Sequence, residues 1–334
     1  MSLRVIKSGL LETIQDLGRH GYSKWGVNPN GVMDRYAAQA ANALVGNEFN
    51  EGVVEIHFPA FQIQFGRTAL ISLTGADFTP CINNKEVALW KPLMVKNGST
   101  LSFKGKRWGN RCYLSVQGGL AITPWLGSQS TNLKISAGGM GRALRKGDQM
   151  ILKDSYYELD SFLGNAYHVE LPWRINADKI YGYANAVSFI EGNEWSWLTE
   201  ASKQSVEAQE FSIESSSDRM ACYLGHAPLH VQRQQELLSS AVVFGTLQLL
   251  PSGLLTVLMA DHQTTGGYPR VGHVITAHLS KLAQLNPHDV FYLNKISIAE
   301  AEKMLFSLQQ ELQLIHRSCR ERLQNFYEQH RHQL

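Results

Sequence analysis

The sequence predicts a mainly β protein with few helices, organised as two β lobes and a long C-terminal helix. Three observations predict it. Short apolar runs broken by Gly, Asn and Pro fill most of the chain. At 334 residues the chain exceeds one ordinary core, since domains usually run about 100–200 residues. The last segment changes period, from strand-like alternation to apolar residues three and four apart. With 44% hydrophobic and 18% charged residues, the composition is that of a core-building chain.

In the first lobe, Phe61 to Phe65 alternates apolar and polar residues, the mark of a half-buried strand. Ala69 to Leu73, Val87 to Trp90 and Leu114 to Val116 are further strand candidates. Asn83-Asn84, Asn97-Gly98 and Lys104-Gly105 read as tight turns between them. Lys146-Gly147-Asp148 before Met150 to Leu152 is another turn-then-strand signal. Asp34 to Leu44 is the one clear helix here, with Asp34 as N-cap and Met33, Ala37, Ala40, Ala41 and Leu44 on its apolar face. Ser155 to Arg174 is polar and loses strand character. The lobes are therefore placed at 1–165 and 166–334.

Strand-like runs resume at Ala186 to Ile190, Met220 to Leu224, Thr246 to Leu250, Thr256 to Met259 and Val290 to Leu293. Glu194 to Ala201 and His278 to Leu285 are short helical candidates. Ser297-Ile298-Ala299-Glu300 is a capping box that opens a helix over 297–330. Its stripe of Ile298, Ala301, Leu305, Leu308, Leu312, Ile315, Cys319 and Leu323 is expected to pack on the same chain, because the flanking positions carry no coiled-coil charge code. Gln329 to Leu334, with His330 and His332, reads as a frayed, solvated tail.

Several chemistries are set aside. Thirty-one basic against 29 acidic residues leave a net charge of +2 with no basic block, so nucleic acid is not an expected partner. No apolar run is long enough to span a bilayer, and the N-terminus lacks the apolar core of a signal peptide. Cys81, Cys112, Cys222 and Cys319 are scattered, as in a reducing compartment. A soluble, cytoplasmic protein is expected. There is no GxxxxGK[ST] loop, no GxSxG elbow at Gly127 to Thr131 and no HExxH. Gly138 to Arg142 reads as a turn. Pro228 breaks any helix between His226 and His230, so shared metal ligation is not expected, and no metal site is assigned.

Three polar clusters stand out. The first runs from Glu12 to Arg19, with Gln15, Asp16 and Arg19 beside glycines and Asp34 further on. The second, Asp261 to Arg270, follows an apolar strand directly and has the build of a binding loop on a rigid scaffold or of an elaborate self-satisfied turn. The third is Asp218-Arg219, either a surface ion pair or an anion-binding arginine.

These segments carry a resemblance. The order KSGLLETIQDLGRHGYSKWGVNPNGVMDRYAAQAANALVGN, GSQST, SSDRM, GTLQLLPSG and MADHQTTGGYPRVGHVI closely resembles one family. It contains the C-type subunit of bacterial 5-oxoprolinase, the antagonist protein KipA and the carboxyltransferase domain of urea carboxylase. It is also known as "allophanate hydrolase subunit 2", although the Ser–Ser–Lys machinery of true allophanate hydrolases is not recognisable here. The resemblance runs from about Val5 to about Val290 and implies two cyclophilin-like β-barrel lobes. It implies a homologue of the B-type 5-oxoprolinase subunit (KipI-like) as partner, with the A-type subunit alongside. It also implies one of three roles. The first is a share in ATP-dependent opening of 5-oxoproline to glutamate, by a chain inactive alone. The second is non-catalytic binding of a kinase inhibitor, and the third is carboxyl transfer from biotin on a separate carrier. Four positions depart from the family pattern: Ala221 for glycine, Tyr223 and Gln129 for arginine, and Ser240 for glutamate. The lost charges bear on ligand binding and not on the fold.

Opening a lactam at neutral pH needs cations for phosphate, carboxylates for Mg²⁺ or base duty, and groups that orient the ring. ATP and Mg²⁺ are expected at the level of the complex. Asp261, Gln263, Asp16 and Asp218 are the catalytic candidates. Gln15, Arg19, Asp34, Glu55, Arg219, Gln248, Thr264, Thr265, Tyr268 and Arg270 are the substrate-binding candidates.

Overall fold

The structure is a computed structural model that describes residues 2–153, 159–182, 186–232 and 236–330. Part of the polar stretch 155–174 and the tail from 331, including His332, lie outside the described residues. The chain is mainly β with five α-helices among those residues. It divides into two compact units, one of Met1–Gly18, Asp34–Ala177 and Gln310–Leu334, the other of Arg19–Met33 and Asp178–Gln309. Each unit thus borrows a segment from the other half of the sequence, which contiguous halves at 1–165 and 166–334 do not contain.

The first unit holds β1 (Ser2–Lys7), β2 (Thr13–Gln15), α1 (Arg35–Leu44), β3 (Val53–Ile56), β4 (Gln62–Phe65), β5 (Ala69–Asp77) and β6 (Pro80–Ile82). It continues with β7 (Lys85–Glu86), β8 (Pro92–Val95), β9 (Thr100–Phe103), β10 (Trp108–Val116), β11 (Gln149–Ile151) and β12 (His168–Glu170). Two six-stranded sheets form, ordered β11-β1-β4-β9-β6-β7 and β12-β8-β5-β10-β3-β2. One buried cluster joins them, with Leu3, Val5, Ile63 and Phe65 from the first and Val54, Ile56, Ile71 and Leu114 from the second. α1 is capped as expected, Asp34 Oδ1 accepting from Ala37 N at 2.9 Å. Its face is wider than the stripe read from the sequence. Ala38 and Ala43 are buried too, and Ser72 and Thr74 of β5 donate to the Ala41 and Ala37 carbonyls.

Two sequence expectations need correction. Val87 to Trp90 is no strand: Trp90 takes φ 62°, which breaks extension between β7 and β8. The polar stretch before Arg174 does carry a strand, β12, which pairs with β8 from His168↔Val95 to Glu170↔Leu93.

The second unit holds α2 (Asp178–Tyr181), β13 (Ala186–Glu191), α3 (Glu200–Ala208), β14 (Glu210–Ile213), β15 (Ala221–Gly225), β16 (Ser240–Ala241) and β17 (Thr246–Leu249). β18 (Leu255–Leu258), β19 (Thr265–Gly266), β20 (Arg270–Val274), α4 (Leu279–Gln284) and β21 (Val290–Lys295) complete it. Seven strands close a barrel in the order β13-β20-β17-β18-β15-β14-β21, while β16 and β19 form a separate ribbon. The β13–β21 pair is parallel. Phe189, Phe211, Val257 and Phe291 fill the interior. The helix read at Glu194 to Ala201 is two elements, a 3₁₀ turn at Ser196 and its neighbours and then α3. The break is at Thr199, whose hydroxyl caps α3 through Ser202 N.

α5 (Ile298–His330) begins in the second unit and ends in the first. Its capping box is formed, with Glu300 accepting from Ser297 N and Ser297 Oγ accepting from Glu300 N. In the part within the first unit, Leu312, Cys319, Leu323 and Tyr327 are buried. His316 bonds the Asn47 carbonyl and Arg320 Nη2 donates to Glu48. The stripe therefore packs on its own chain there, while Ile298 at the helix start is 63% exposed. No described helix is long and apolar enough to cross a membrane.

Candidate functional site

The candidate residues fall into separate groups within the two units. In the second unit, Asp261 follows β18 and is buried, and so is Arg219, which leads into β15. The two form a two-point ion pair, Arg219 Nε to Asp261 Oδ2 at 3.0 Å and Nη2 to Oδ1 at 2.9 Å. Their backbones bond as well, Asp261 N to Arg219 O. Asn30 Nδ2 donates to Asp261 Oδ1, and Arg219 Nη2 donates to Gly31 O at 2.6 Å. Asn30 (φ 58°) and Gly31 (φ 100°) are both left-handed, the turn that presents this amide and carbonyl. The partner of Arg219 is thus Asp261, 42 residues on, and not adjacent Asp218. Asp218 is exposed and accepts from Met220 N and Ala221 N, a turn that starts β15.

The loop after Asp261 turns sharply. His262 is buried with Nδ1 against the Gln263 carbonyl, and burial holds its pKa below the usual histidine value. Gln263 is exposed, and Thr265-Gly266 pair with Ser240-Ala241. Gln248, in β17, is 1% exposed and reaches toward Gly266. Tyr268, with Gly267 and Pro269, lines an open cleft of about 940 Å³ whose other walls include Trp197, Leu249 and Pro251. Arg270 is engaged by a residue not singled out in the sequence, Glu194, at 2.8 and 3.0 Å. Burial raises the Glu194 pKa, but Arg270's side-chain and backbone bonds outweigh it and hold it below the usual glutamate value. Arg19 is fully buried in this unit, its backbone N bonded to Pro29 O.

In the first unit, Asp16 is saturated. Its carboxylate accepts from Ser128 Oγ, Ser130 Oγ, Gln129 N and Gly18 N at 2.6–2.8 Å, tying the GSQST loop to the end of β2. Gln15 Nε2 donates to Thr13 Oγ1 and Thr131 O, and its Oε1 is buried without a partner. Gln129, where the family pattern has arginine, is spent on backbone: its Oε1 accepts from Gly52 N and its Nε2 donates to Ile122 O. Asp34 and Glu55 meet through a residue the sequence did not flag. Tyr113 accepts from Asp34 N and donates to Glu55, both at 2.8 Å. The residues that sequence reasoning missed are Asn30, Tyr113, Glu194, Ser128 and Ser130. Asn30 had a local signal in its Asn-Gly step, and Ser128 and Ser130 lay in the GSQST run already quoted for the family. All four cysteines are buried and none is in a disulfide.

The family model "Carboxyltransferase domain, subdomain A and B" matches residues 25–295. The chain belongs to that family. Among its relatives, the C-type 5-oxoprolinase subunit of Haemophilus influenzae is 33% identical over 293 residues, 87% of this chain and 90% of that protein. The Escherichia coli protein of the same name is 33% identical over 302 residues, 90% of this chain and 93% of that one. The solved urea carboxylase of Kluyveromyces lactis superposes with a TM-score of 0.82 at 23% identity over 94% of this chain. This chain spans 29% of that one, and the likeness is one of fold.

Proposed function

We propose that this chain is the C-type subunit of an ATP-dependent 5-oxoprolinase, converting 5-oxoproline to L-glutamate together with homologues of the A-type and B-type subunits, and inactive alone. The observation that carries the reading is the two-way coverage of the C-type 5-oxoprolinase relatives, about nine-tenths of both chains. The chain's part is to bind and orient the small amide on the 261–268 loop. Asp261 is held there by Arg219 and Asn30, and Gln263 stands exposed at its turn.

Arg219 and Arg270, two of the three cation candidates beside Arg19, are each paired with a carboxylate, so capture of a phosphate by either would first break an ion pair. No three His, Cys, Asp or Glu side chains among the described residues are grouped to hold a metal ion. In this proposal ATP and Mg²⁺ stay at the level of the assembled complex. A second reading, biotin-dependent carboxyl transfer, is favoured by the family description and by the urea carboxylase fold. It places the same small-amide site in a different reaction.

The test is reconstitution with the A-type and B-type homologues, reading ATP-dependent glutamate release from 5-oxoproline. Activity is expected from the full complex and not from the chain by itself, with a loss of at least a hundredfold on combining Asp261→Ala and Gln263→Ala. Activity that survives both substitutions overturns the site. An inactive complex that still binds the B-type homologue tightly overturns the enzymatic reading in favour of an interaction protein.

A further inference from the structure

Gln248 is buried in the middle of β17, and its Nε2 has no hydrogen-bond partner. Buried amide donors are almost always paired, so an orphan of this kind points to a group supplied from outside. An independent feature lies directly in front of it. A Cβ built on Gly266 would fall 2.6 Å from Gln248 Nε2 and 3.5 Å from Gln263 Nε2, with Val242 Cγ1 at 3.4 Å. The backbone of Gly266 is not in the left-handed region. A side chain there would crowd the Gln248 amide and touch the Gln263 amide in the space where the two converge, with no cost from the Ramachandran map. The β16–β19 ribbon fixes that space, because Gly266 is paired to Ser240.

We propose that Gln248 Nε2 and Gln263 Nε2 are paired donors for the acyl oxygen of a small planar amide, a lactam or ureido group, bound over the face of Gly266. This rests on the small-amide reading above and names the oxygen-binding pair of that site. Gln248 supplies a donor fixed by its strand and shielded from water, and Gln263 supplies one from the exposed turn, where a ligand enters. Val242 forms an apolar wall beside Gly266 that helps to keep water from the buried Gln248 donor. Two neutral N–H donors suit a neutral carbonyl and hold it more strongly as negative charge grows on its oxygen. They are binding and positioning groups, since neither carries a proton the reaction must move.

The test uses the full chain, alone and in complex with the A-type and B-type homologues, with selectively ¹⁵N-labelled glutamine side chains. The probes are 5-oxoproline, urea and acetate. Titration with 5-oxoproline or urea is expected to shift the Gln248 side-chain resonance. Gln248→Met and Gly266→Ala are each expected to lower the amide's affinity at least tenfold. Gln248→Met should leave the melting temperature unchanged or higher, because the lost nitrogen bonds nothing in the protein. Should Gly266→Ala fail to fold, Gln248→Met alone decides. Unchanged affinity in Gln248→Met, or a response to acetate and to neither amide, overturns the proposal, as does silence toward all three probes in both settings. Amide binding by a complex that releases no glutamate overturns only the 5-oxoprolinase reading.

Discussion

Arg219 and Asp261 are 6% and 8% exposed, so neither charge is solvated by bulk water. Removing one partner leaves the other buried and uncompensated. Arg219→Met is therefore expected to lower stability by about 3–5 kcal/mol, read as a fall in the denaturant midpoint. Adding Asp261→Asn should restore most of it. Two buried titratable groups set opposite pH slopes. Burial pushes Glu12 up to about 7, against the N–H groups of Phe61 and Gly9 that its carboxylate accepts. A carboxyl with a raised folded pKa contributes fully below its unfolded value of 4.5, and the contribution is lost as pH rises through about 7. Burial, then Lys281, pulls His278 down to about 4, and its Nδ1 accepts from Ser188 N as only a neutral ring can. A base so depressed loses stability as pH falls from 6.5 toward 4. Because the two windows overlap and the slopes oppose, melting temperature is expected to rise more steeply with pH up to about 6.5 in Glu12→Gln, and to fall as pH approaches about 7 in His278→Gln. Unchanged slopes in the two variants would refute both assignments.

At the scale of elements, local signals were legible where a cap or a turn declares itself. Asp34 and the Ser297–Glu300 box did so, and both helices start where they indicate. Val87 to Trp90 misled, since an apolar run carries no sign that one of its residues is left-handed. Glu194 to Ala201 misled for another reason, because Thr199 competes for the backbone as an N-cap and divides the stretch. The buried end of α5 makes a quantitative case. Leu323 is 4% exposed and its Cδ1 lies over Gly46, at 3.1 Å from where a Cβ would stand. Leu323→Ala should cost about 2–4 kcal/mol through the cavity it leaves, and an exposed neighbour such as Gln324→Ala close to nothing. Equal melting temperatures for the two variants would show that the helix end is not part of the core.

At the scale of the whole chain, the units exchange segments. Residues 310–334 belong with the first unit, to which they bring Leu312, Cys319, Leu323 and Tyr327 as buried side chains. A fragment of residues 1–165 lacks them. It is expected to bind a hydrophobic dye and to unfold without a cooperative transition. The same fragment supplied with a 310–334 peptide should recover cooperativity in part. A sharp, unaided transition in 1–165 would show that the segment is dispensable.

The sequence by itself determined the strand-rich class, the long capped helix, the family and the segments that hold polar chemistry. All of these rest on neighbours within a few residues or on motif order. Tertiary structure decided which polar groups meet. Asp261 finds Arg219 across 42 residues and Asn30 across 231. Arg270 closes on Glu194, Asp16 on the GSQST serines, and Glu55 reaches Asp34 through Tyr113. The physical reason is that a buried charge must be paired, while pairing is chosen by strand order and register, to which chain separation is blind. The same holds for Gln248. Its residue type was visible in the sequence, but its unpaired nitrogen before a glycine became visible only when β17 and the β16–β19 ribbon were brought together.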